Sequence, residues 1–277
     1  MITLFKLLSA LPLCLLHGVG AGLGWLAFLG SGVYRRRFLA NAKQAGMRWS
    51  QWTVAVGQSG MLVAELPRLW MGRPVRVMWH GHAHVEAALA RGKGIVFLTP
   101  HLGCFEVTAQ AYAQRFGQIA QPMTVLFRPP RQAWLRDLVS GARARPGLKT
   151  ATTTLAGVKQ MIKALKQGES LGLLPDQVPP LGLGVWAPFF GQEAYTMTLP
   201  SKLALQTGAT VLLAWGERLS WGRGYRVNVL PLSEPLPTDV TLAASVVNRA
   251  MEALILRCPE QYLWGYARYK QPREDAR

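Results

Sequence analysis

The chain has 277 residues, half of them apolar, which is enough for one substantial core and argues against a second full domain. Its 31 lysines and arginines outweigh 14 acidic residues, and the net charge of +17 favours anionic partners; the basic residues are scattered without a zinc-finger, RNA-recognition or helix-turn-helix signature, which argues against nucleic acid. Cys14, Cys104 and Cys258 have no paired spacing, so neither a disulfide framework nor a zinc site is expected.

The N-terminal segment predicts a membrane anchor helix. No charged residue occurs from Leu7 to Val33, and the cluster Arg35–Arg37 follows almost at once. Such a stretch can cross about 30 Å of hydrocarbon, and the basic cluster would hold the rest of the chain in the cytoplasm. Its glycines and Pro12 weaken the helix, so a re-entrant or interfacial segment is an alternative to a membrane-spanning one. A signal peptide is the less favoured interpretation, because cleavage would carry unpaired cysteines into an oxidising space. We therefore divide the chain into an anchor, residues 1–37, and one further domain, residues 38–277.

Helical and extended patterns then alternate along the chain. The predicted helices cover 38–72, 82–91, 105–116, a segment that Thr154 caps and Gly168 ends, and 240–256. The predicted strands cover 75–79, 94–99, 123–127, 170–174, 209–215 and 225–230. Repeated strand–helix–strand units indicate an α/β fold with a mainly parallel central sheet flanked by helices.

The segment Pro100-His101-Leu102-Gly103-Cys104-Phe105-Glu106 directly follows a buried strand pattern. It places the His101 imidazole at the carboxyl edge of the sheet, where α/β proteins bind their ligands. With a turn between them, the Glu106 carboxylate can fold back to the imidazole, fix its tautomer and stabilise the imidazolium. A histidine held in this way is a general base that can activate a hydroxyl for acyl transfer. A capping glutamate beside a surface histidine explains the same spacing without any chemistry.

Other clusters follow predicted strands or close the chain. They are Phe127-Arg128-Pro129-Pro130, Leu174-Pro175-Asp176-Gln177, Pro188-Phe189-Phe190-Gly191 and the tail from Gln261 to Lys270. In this order, together with the His101 motif, the set resembles the lipid A biosynthesis acyltransferases, the late lauroyl and myristoyl transferases of Gram-negative bacteria. The resemblance covers most of the chain after residue 35. The chain lacks the Phe-Pro that usually follows Asn41 in that family, and Ala267 stands where a second basic residue is common.

The resemblance implies transfer of a fatty acyl chain from an acyl carrier protein thioester to a hydroxyl of a Kdo-bearing lipid A precursor. It implies an inner-membrane protein with its catalytic domain on the cytoplasmic face, and no metal or other cofactor. The family's base and acidic partner fall on His101 and Glu106. A hydroxyl is a weak nucleophile at neutral pH, so a base that removes its proton during attack on the thioester is chemically reasonable.

The resemblance also implies substrate-binding roles outside the His101 motif. Backbone amides after His101, or the Arg128 guanidinium, would stabilise the oxyanion. Asp176 and Gln177 would shape the acceptor site or active site, although an aspartate after proline is also a common turn residue. Arg268 would pair with phosphate or carboxylate groups of the acceptor, with a solvated basic tail as the competing interpretation.

Several alternatives remain at this stage. The same motif would serve an acyltransferase for another acceptor, such as a phospholipid, a glycolipid or an ornithine lipid. Cys104 would be the nucleophile of a thioesterase, although a small cysteine at a helix start is more often a packing residue. A non-enzymatic lipid-binding protein would need only the basic and aromatic surface. The alternating histidines His80, His82 and His84 suggest a metal site only weakly, because no acidic or cysteine ligand accompanies them.

Overall fold

The computed structural model of this chain describes residues 2–117, 121–127, 132, 138–139, 141 and 145–274. Within these ranges a seven-stranded sheet has the order β1-β9-β8-β2-β5-β3-β4. Its strands are β1 (Val77–His80), β2 (Ile95–Leu98), β3 (Met123–Phe127), β4 (Leu148–Thr152), β5 (Ser170–Leu173), β8 (Thr210–Arg218) and β9 (Tyr225–Pro231). A separate antiparallel hairpin consists of β6 (Gly184–Phe189) and β7 (Gln192–Met197).

Strands β8, β2, β5, β3 and β4 run parallel, and β9 reverses direction beside β8. The helices are α1 (Ile2–Ala10), α2 (Leu13–Gly30), α3 (Gly32–Gln44), α4 (Trp49–Ala64), α5 (Leu66–Met71), α6 (His82–Ala90), α7 (Phe105–Arg115), α8 (Leu155–Lys166), α9 (Leu199–Thr207) and α10 (Val240–Ile255). The α/β prediction with a mainly parallel sheet is confirmed, because hydrophobic strands alternate with amphipathic helices that cover the sheet.

Several predicted elements match the structure closely. Strand β3 occupies the predicted residues, and the Thr154 hydroxyl caps α8 by accepting a hydrogen bond from the amide of Gly157 (3.3 Å). Gly168 follows the end of α8 with φ +79°, a left-handed conformation that glycine adopts without steric cost. Strand β4, the β6–β7 hairpin and helix α9 were not predicted. In β4 three of the five residues are exposed, so the apolar signal of this edge strand is weak.

The N-terminal segment forms two helices that break at Pro12, and the second lies antiparallel to α4. Glycines make the contact close: a Cβ at Gly24 would lie 2.3 Å from the carbonyl oxygen of Val56. Phe28 stacks on Trp52 with ring centroids 5.9 Å apart and belongs to the main hydrophobic core. Among the described residues, α2 is the one helix long and apolar enough to cross a membrane, and about a third of it is buried. The predicted domain boundary at residue 37 falls inside α3.

Candidate active site

His101 and Asp176 meet because their strands are neighbours. Leu98 of β2 pairs with Leu173 of β5 in parallel register, and each of the two functional residues follows its paired leucine by three positions. The amide of Thr99 donates to the carbonyl of Leu173 (3.1 Å), which continues the pairing past the strand ends. Both side chains therefore emerge at the carboxyl edge of the parallel strands.

The loop that carries His101 is held on both sides. The amide of Cys104 donates to the Gly216 carbonyl on β8 (2.7 Å), and the amide of Gly103 donates to the Gln261 carbonyl (2.9 Å). Gly103 has φ +59°, and a Cβ at this position would lie 2.1 Å from the Gly216 oxygen. The tight turn therefore requires glycine, and it sets where α7 begins.

Asp176 holds His101 through two hydrogen bonds. The backbone amide of His101 donates to Oδ2 of Asp176 and the imidazole Nδ1 donates to Oδ1, both over 2.8 Å. Asp176 is 2% exposed. Burial raises the pKa of this carboxyl, but the adjoining His101 side chain and amide outweigh burial and hold the pKa below its usual value. The buried carboxylate therefore stays ionised and fixes the imidazole with Nδ1 protonated.

The second imidazole nitrogen, Nε2, lies 3.0 Å from the side-chain amide nitrogen of Gln177. Since Nδ1 carries the proton, Nε2 has a lone pair and accepts a hydrogen bond from the Gln177 amide. The Phe105 ring contacts the imidazole edge to face, with centroids 5.0 Å apart. The side chain of His101 keeps 15% of its surface accessible. Among the residues that the structure describes, the neutral Gln177 amide is the one hydrogen-bond partner of Nε2.

The structure corrects the expected contact between Glu106 and His101. Among the described residues, the hydrogen bonds of the His101 imidazole go to Asp176 and Gln177. Glu106 lies in the first turn of α7, is 8% exposed and lines an apolar cavity. The turn at Gly103 directs the two side chains apart, so that the imidazole faces the end of β5. The sequence signal for the true Nδ1 partner is an aspartate that follows a second buried strand.

The cavity beside His101 lies between α7 and the sheet. Its empty volume, including the open mouth, is about 760 Å³. Thr99, Phe105 and Glu106 line the part near His101, and most of the remaining walls are apolar. The side chains of these other walls include Trp79, Phe97, Tyr112, Met123, Val125, Leu126, Leu148, Val227 and Val229. The site thus combines a base with an adjacent compartment suited to a hydrocarbon chain.

Arg268 is buried in a structural position. Its guanidinium donates to the carbonyl of Tyr195 (2.8 Å) and to the hydroxyl of Thr196 (2.7 Å), and it lies 4.9 Å from the centroid of the Phe189 ring. Only 2% of the residue is exposed, and burial lowers the pKa of its guanidinium. Arg268 thereby fastens the C-terminal tail to the β6–β7 hairpin; its contact with an acceptor stays a prediction. Arg128 lies outside the described residues.

Two alternatives raised by the sequence concern Cys104 and the histidines around His82. Cys104 is fully buried, and burial raises the pKa of its thiol well above the usual value, which disfavours the thiolate that a nucleophile needs. The Nδ1 atom of His80 lies 3.3 Å from Oδ1 of Asn228, while His82 and His84 lie at the start of α6. In the parts of the chain that the structure describes, no group of three histidine, cysteine or acidic side chains could hold a metal ion.

Comparison with known proteins gives a consistent set of matches. Residues 48–271 match the model of a family described as bacterial lipid A biosynthesis acyltransferase. The chain is 28% identical to the lipid A biosynthesis lauroyltransferase of Escherichia coli K12, over 95% of this chain and 88% of that protein. It is 28% identical to the palmitoleoyltransferase of the same organism over 76% and 68%. It is also 28% identical to the phosphatidylinositol mannoside acyltransferase of Mycobacterium tuberculosis over 58% and 49%.

Proposed function

Because the chain belongs to the bacterial lipid A biosynthesis acyltransferase family, we propose that it transfers a fatty acyl chain from an acyl carrier protein thioester to a hydroxyl of a Kdo-bearing lipid A precursor. The observation that carries this proposal is the His101–Asp176 pair beside an apolar cavity, whose lining includes Phe105, the residue whose ring contacts the His101 imidazole. A base beside an apolar compartment is what esterification with a fatty acid requires.

The reaction uses His101 as general base. The acceptor hydroxyl replaces the Gln177 amide at Nε2, gives its proton to the imidazole and attacks the thioester carbon. The ionised Asp176 stabilises the imidazolium that forms. When the tetrahedral intermediate collapses, the carbon–sulfur bond breaks, the new ester bond remains and the proton passes from His101 to the departing thiolate. General base catalysis of this kind contributes about 10²- to 10⁴-fold in rate.

The acyl chain occupies the cavity, with its thioester near Phe105 and Glu106. Glu106 lines the cavity and lies beside the reacting carbonyl group, while Asp176 is the partner of Nδ1. Backbone amides at the start of α7 and Arg128 stabilise the oxyanion. Gln177 orients the acceptor at Nε2. The positive charge of Arg268 helps to hold the pKa of the Asp176 carboxyl below its usual value.

The protein works on the cytoplasmic face of the inner membrane, with α2 lying along the bilayer surface. One face of α2 packs against α4 from Gly20 to Phe28, and other positions of α2 expose a stripe of apolar side chains. The stripe consists of Leu15, Val19, Leu23, Leu26 and Leu29, and Leu4, Leu7 and Leu11 extend it toward the N-terminus. Arg35–Arg37 follow directly and suit the anionic headgroups of the bilayer. The net positive charge also suits an acidic acyl carrier protein.

The test uses purified protein in vesicles that contain anionic phospholipid. Acyl carrier protein thioesters of several chain lengths are offered with the Kdo-bearing precursor, a mannosylated phosphatidylinositol or a lysophospholipid, and products are identified by mass spectrometry. We expect one added acyl chain on the Kdo-bearing precursor. A product only with the mannosylated lipid, an acceptor that the mycobacterial relative makes relevant, would replace the acceptor in this proposal. Hydrolysis of the thioester without any acylated lipid would contradict acyl transfer.

A further inference from the structure

A buried ionic cluster lies behind the His101 loop. Glu65, at the end of α4, is fully buried, and Arg218, at the end of β8, is 5% exposed. The Arg218 Nε lies 2.9 Å and 3.0 Å from the two Glu65 carboxylate oxygens, and Nη2 lies 2.9 Å from Oε1. The hydroxyl of Tyr225 donates to Oε2 of Glu65 over 2.9 Å, and Nε2 of His17 lies 3.2 Å from the same Oε2 atom. The carboxylate therefore has charged or polar partners on three sides.

The same guanidinium reaches the catalytic loop. Nη2 of Arg218 donates to the carbonyl oxygen of Gly103 over 2.7 Å, two residues after His101. The backbone amide of Arg218 donates to Oε1 of Gln261 (2.8 Å), and Nε2 of Gln261 donates back to the Arg218 carbonyl (3.0 Å). The Gln261 carbonyl accepts a hydrogen bond from the Gly103 amide. Arg218 and Gln261 together therefore bind both the carbonyl and the amide of Gly103.

Stability alone is a weak reason for the buried Glu65–Arg218 ion pair. Removing two charges from water is costly, and well-packed apolar residues of similar size often replace a buried ion pair at no loss of stability. What apolar residues cannot supply is the donor for the Gly103 carbonyl. Gly103 has a left-handed backbone conformation, and a small rotation of its peptide would move the imidazole and the start of α7 relative to each other.

We propose that Arg218, held in place by Glu65, is a positioning residue for His101: its hydrogen bond to the Gly103 carbonyl sets the orientation of the catalytic loop. This inference rests on the acyl transfer proposed above. The cluster also joins that loop to α2, because His17 and Arg218 share the Glu65 carboxylate. Hydrogen bonds and ion pairs thus connect α2 to the loop that carries His101.

Two variants of the pair test this inference. Arg218→Lys keeps the charge opposite Glu65, but one ammonium group cannot reproduce the guanidinium fork that reaches both the carboxylate and the Gly103 carbonyl. The double variant Glu65→Met/Arg218→Met removes both charges and refills the space. Arg249→Lys is the matched control, since Arg249 forms an exposed ion pair with Glu234 (2.6 Å) away from the loop. Thermal unfolding of all four proteins establishes that each one is folded.

Acyl transfer is then compared as kcat and KM, and the rate of His101 modification by diethylpyrocarbonate is measured by peptide mass spectrometry. We expect kcat to fall by about tenfold or more in Arg218→Lys and in the double variant, with KM within about twofold. We also expect faster modification of His101, because displacement of the loop breaks its hydrogen bond to Gln177. Wild-type kcat and modification rate in folded Arg218→Lys would overturn the inference. If the wild type transfers no acyl chain, the proposed function fails, and the modification rate still decides the positioning role.

Discussion

The side-chain amide of Gln177 occupies the imidazole nitrogen of His101 that the proposed reaction uses, with 3.0 Å between the two Nε2 atoms. An acceptor hydroxyl must take this place before it can give up its proton. The Gln177 amide nitrogen therefore occupies the position that the acceptor oxygen takes in the proposed reaction. Because the amide is neutral, its displacement exchanges one hydrogen bond for another and has a small energetic cost.

Replacement of Gln177 tests whether its hydrogen bond to Nε2 of His101 affects acceptor binding or the catalytic step. We expect Gln177→Ala to keep kcat within about tenfold of wild type, since the base remains, and to raise the KM for the acceptor. Gln177→Glu places a carboxylate where the lone pair of Nε2 must act; it would hold the imidazole in its protonated form and lower kcat much more strongly. Steady-state kinetics with the acceptor varied checks both. Equal kcat in the two variants would contradict this geometry.

The carboxylate of Asp176 should govern the pH dependence. Its pKa lies below the usual aspartate value, so it is ionised throughout the neutral range. We expect Asp176→Asn to lower kcat by about 10²- to 10⁴-fold, because an amide cannot stabilise the imidazolium. The acid limb of the pH–rate profile should move to lower pH. Glu106→Gln is the matched comparison: it should lower kcat without moving that limb, and the reverse pattern would make Glu106 the partner.

The depressed pKa of Asp176 also has a consequence for stability. A carboxyl with a lower pKa in the folded protein than in the unfolded chain stabilises the fold at pH values above its unfolded pKa. That contribution is lost as the pH falls through the folded pKa, below the usual aspartate value of about 4. We expect wild type and Asp176→Asn to converge in thermal stability only in this acidic range. Convergence already near pH 6 would contradict the direction of the pKa shift.

Gly172 should limit the length of the acyl chain. It lines the cavity, and a Cβ there would lie 3.2 Å from a methyl group of Val125 and 3.3 Å from the Met123 sulfur. We expect Gly172→Val to shift the preference toward shorter donors, since each buried methylene contributes about 0.8 kcal/mol, or about fourfold in affinity. Competition between acyl donors measures the shift. Thr124→Val, on the neighbouring strand and outside the cavity lining, is the control and should leave the preference unchanged.

The apolar stripe on α2 should be needed for membrane binding. Leu26 is 67% exposed on this stripe, and Leu155 is 73% exposed at the start of α8. We expect Leu26→Asp to weaken co-sedimentation with vesicles that contain phosphatidylglycerol, because the charge must leave water to enter the bilayer. Leu155→Asp makes the same chemical change elsewhere and should have little effect. Equal binding by the two variants would argue against α2 as the membrane contact.

The sequence predicts the alternation of strands and helices well because both signals are local. Met123–Phe127 is a β-rich apolar run bounded by turn residues, and the Thr154 cap precedes a clear amphipathic pattern. The β6–β7 hairpin was not predicted because its two-residue turn, Phe190 with φ +47° and Gly191 with φ +74°, lacks the Asn-Gly or Asp-Gly pair that signals such a turn in a sequence. Its strands pair with each other from Gly184 opposite Met197 to Phe189 opposite Gln192.

In the active site too, residues with a local sequence signal could be identified, whereas partners that are distant in sequence could not. His101 was identified from its position directly after a buried strand. Its Nδ1 partner could not be chosen from spacing, because Glu106 is near in sequence while Asp176 is near only once β2 and β5 are neighbours. The Glu65–Arg218 pair has no sequence signal, since its members lie on α4 and β8 and are joined only by the folded core.

In the proposed reaction, His101 is the base for acyl transfer to the lipid A precursor. The most direct test of this role is a single-turnover experiment that compares wild type with His101→Ala, both bound to the same vesicles, with acyl carrier protein thioester and the Kdo-bearing precursor. We expect wild type to add one acyl chain and His101→Ala to be slower by about 10²- to 10⁴-fold. Transfer by folded His101→Ala at the wild-type rate would show that His101 is not the base.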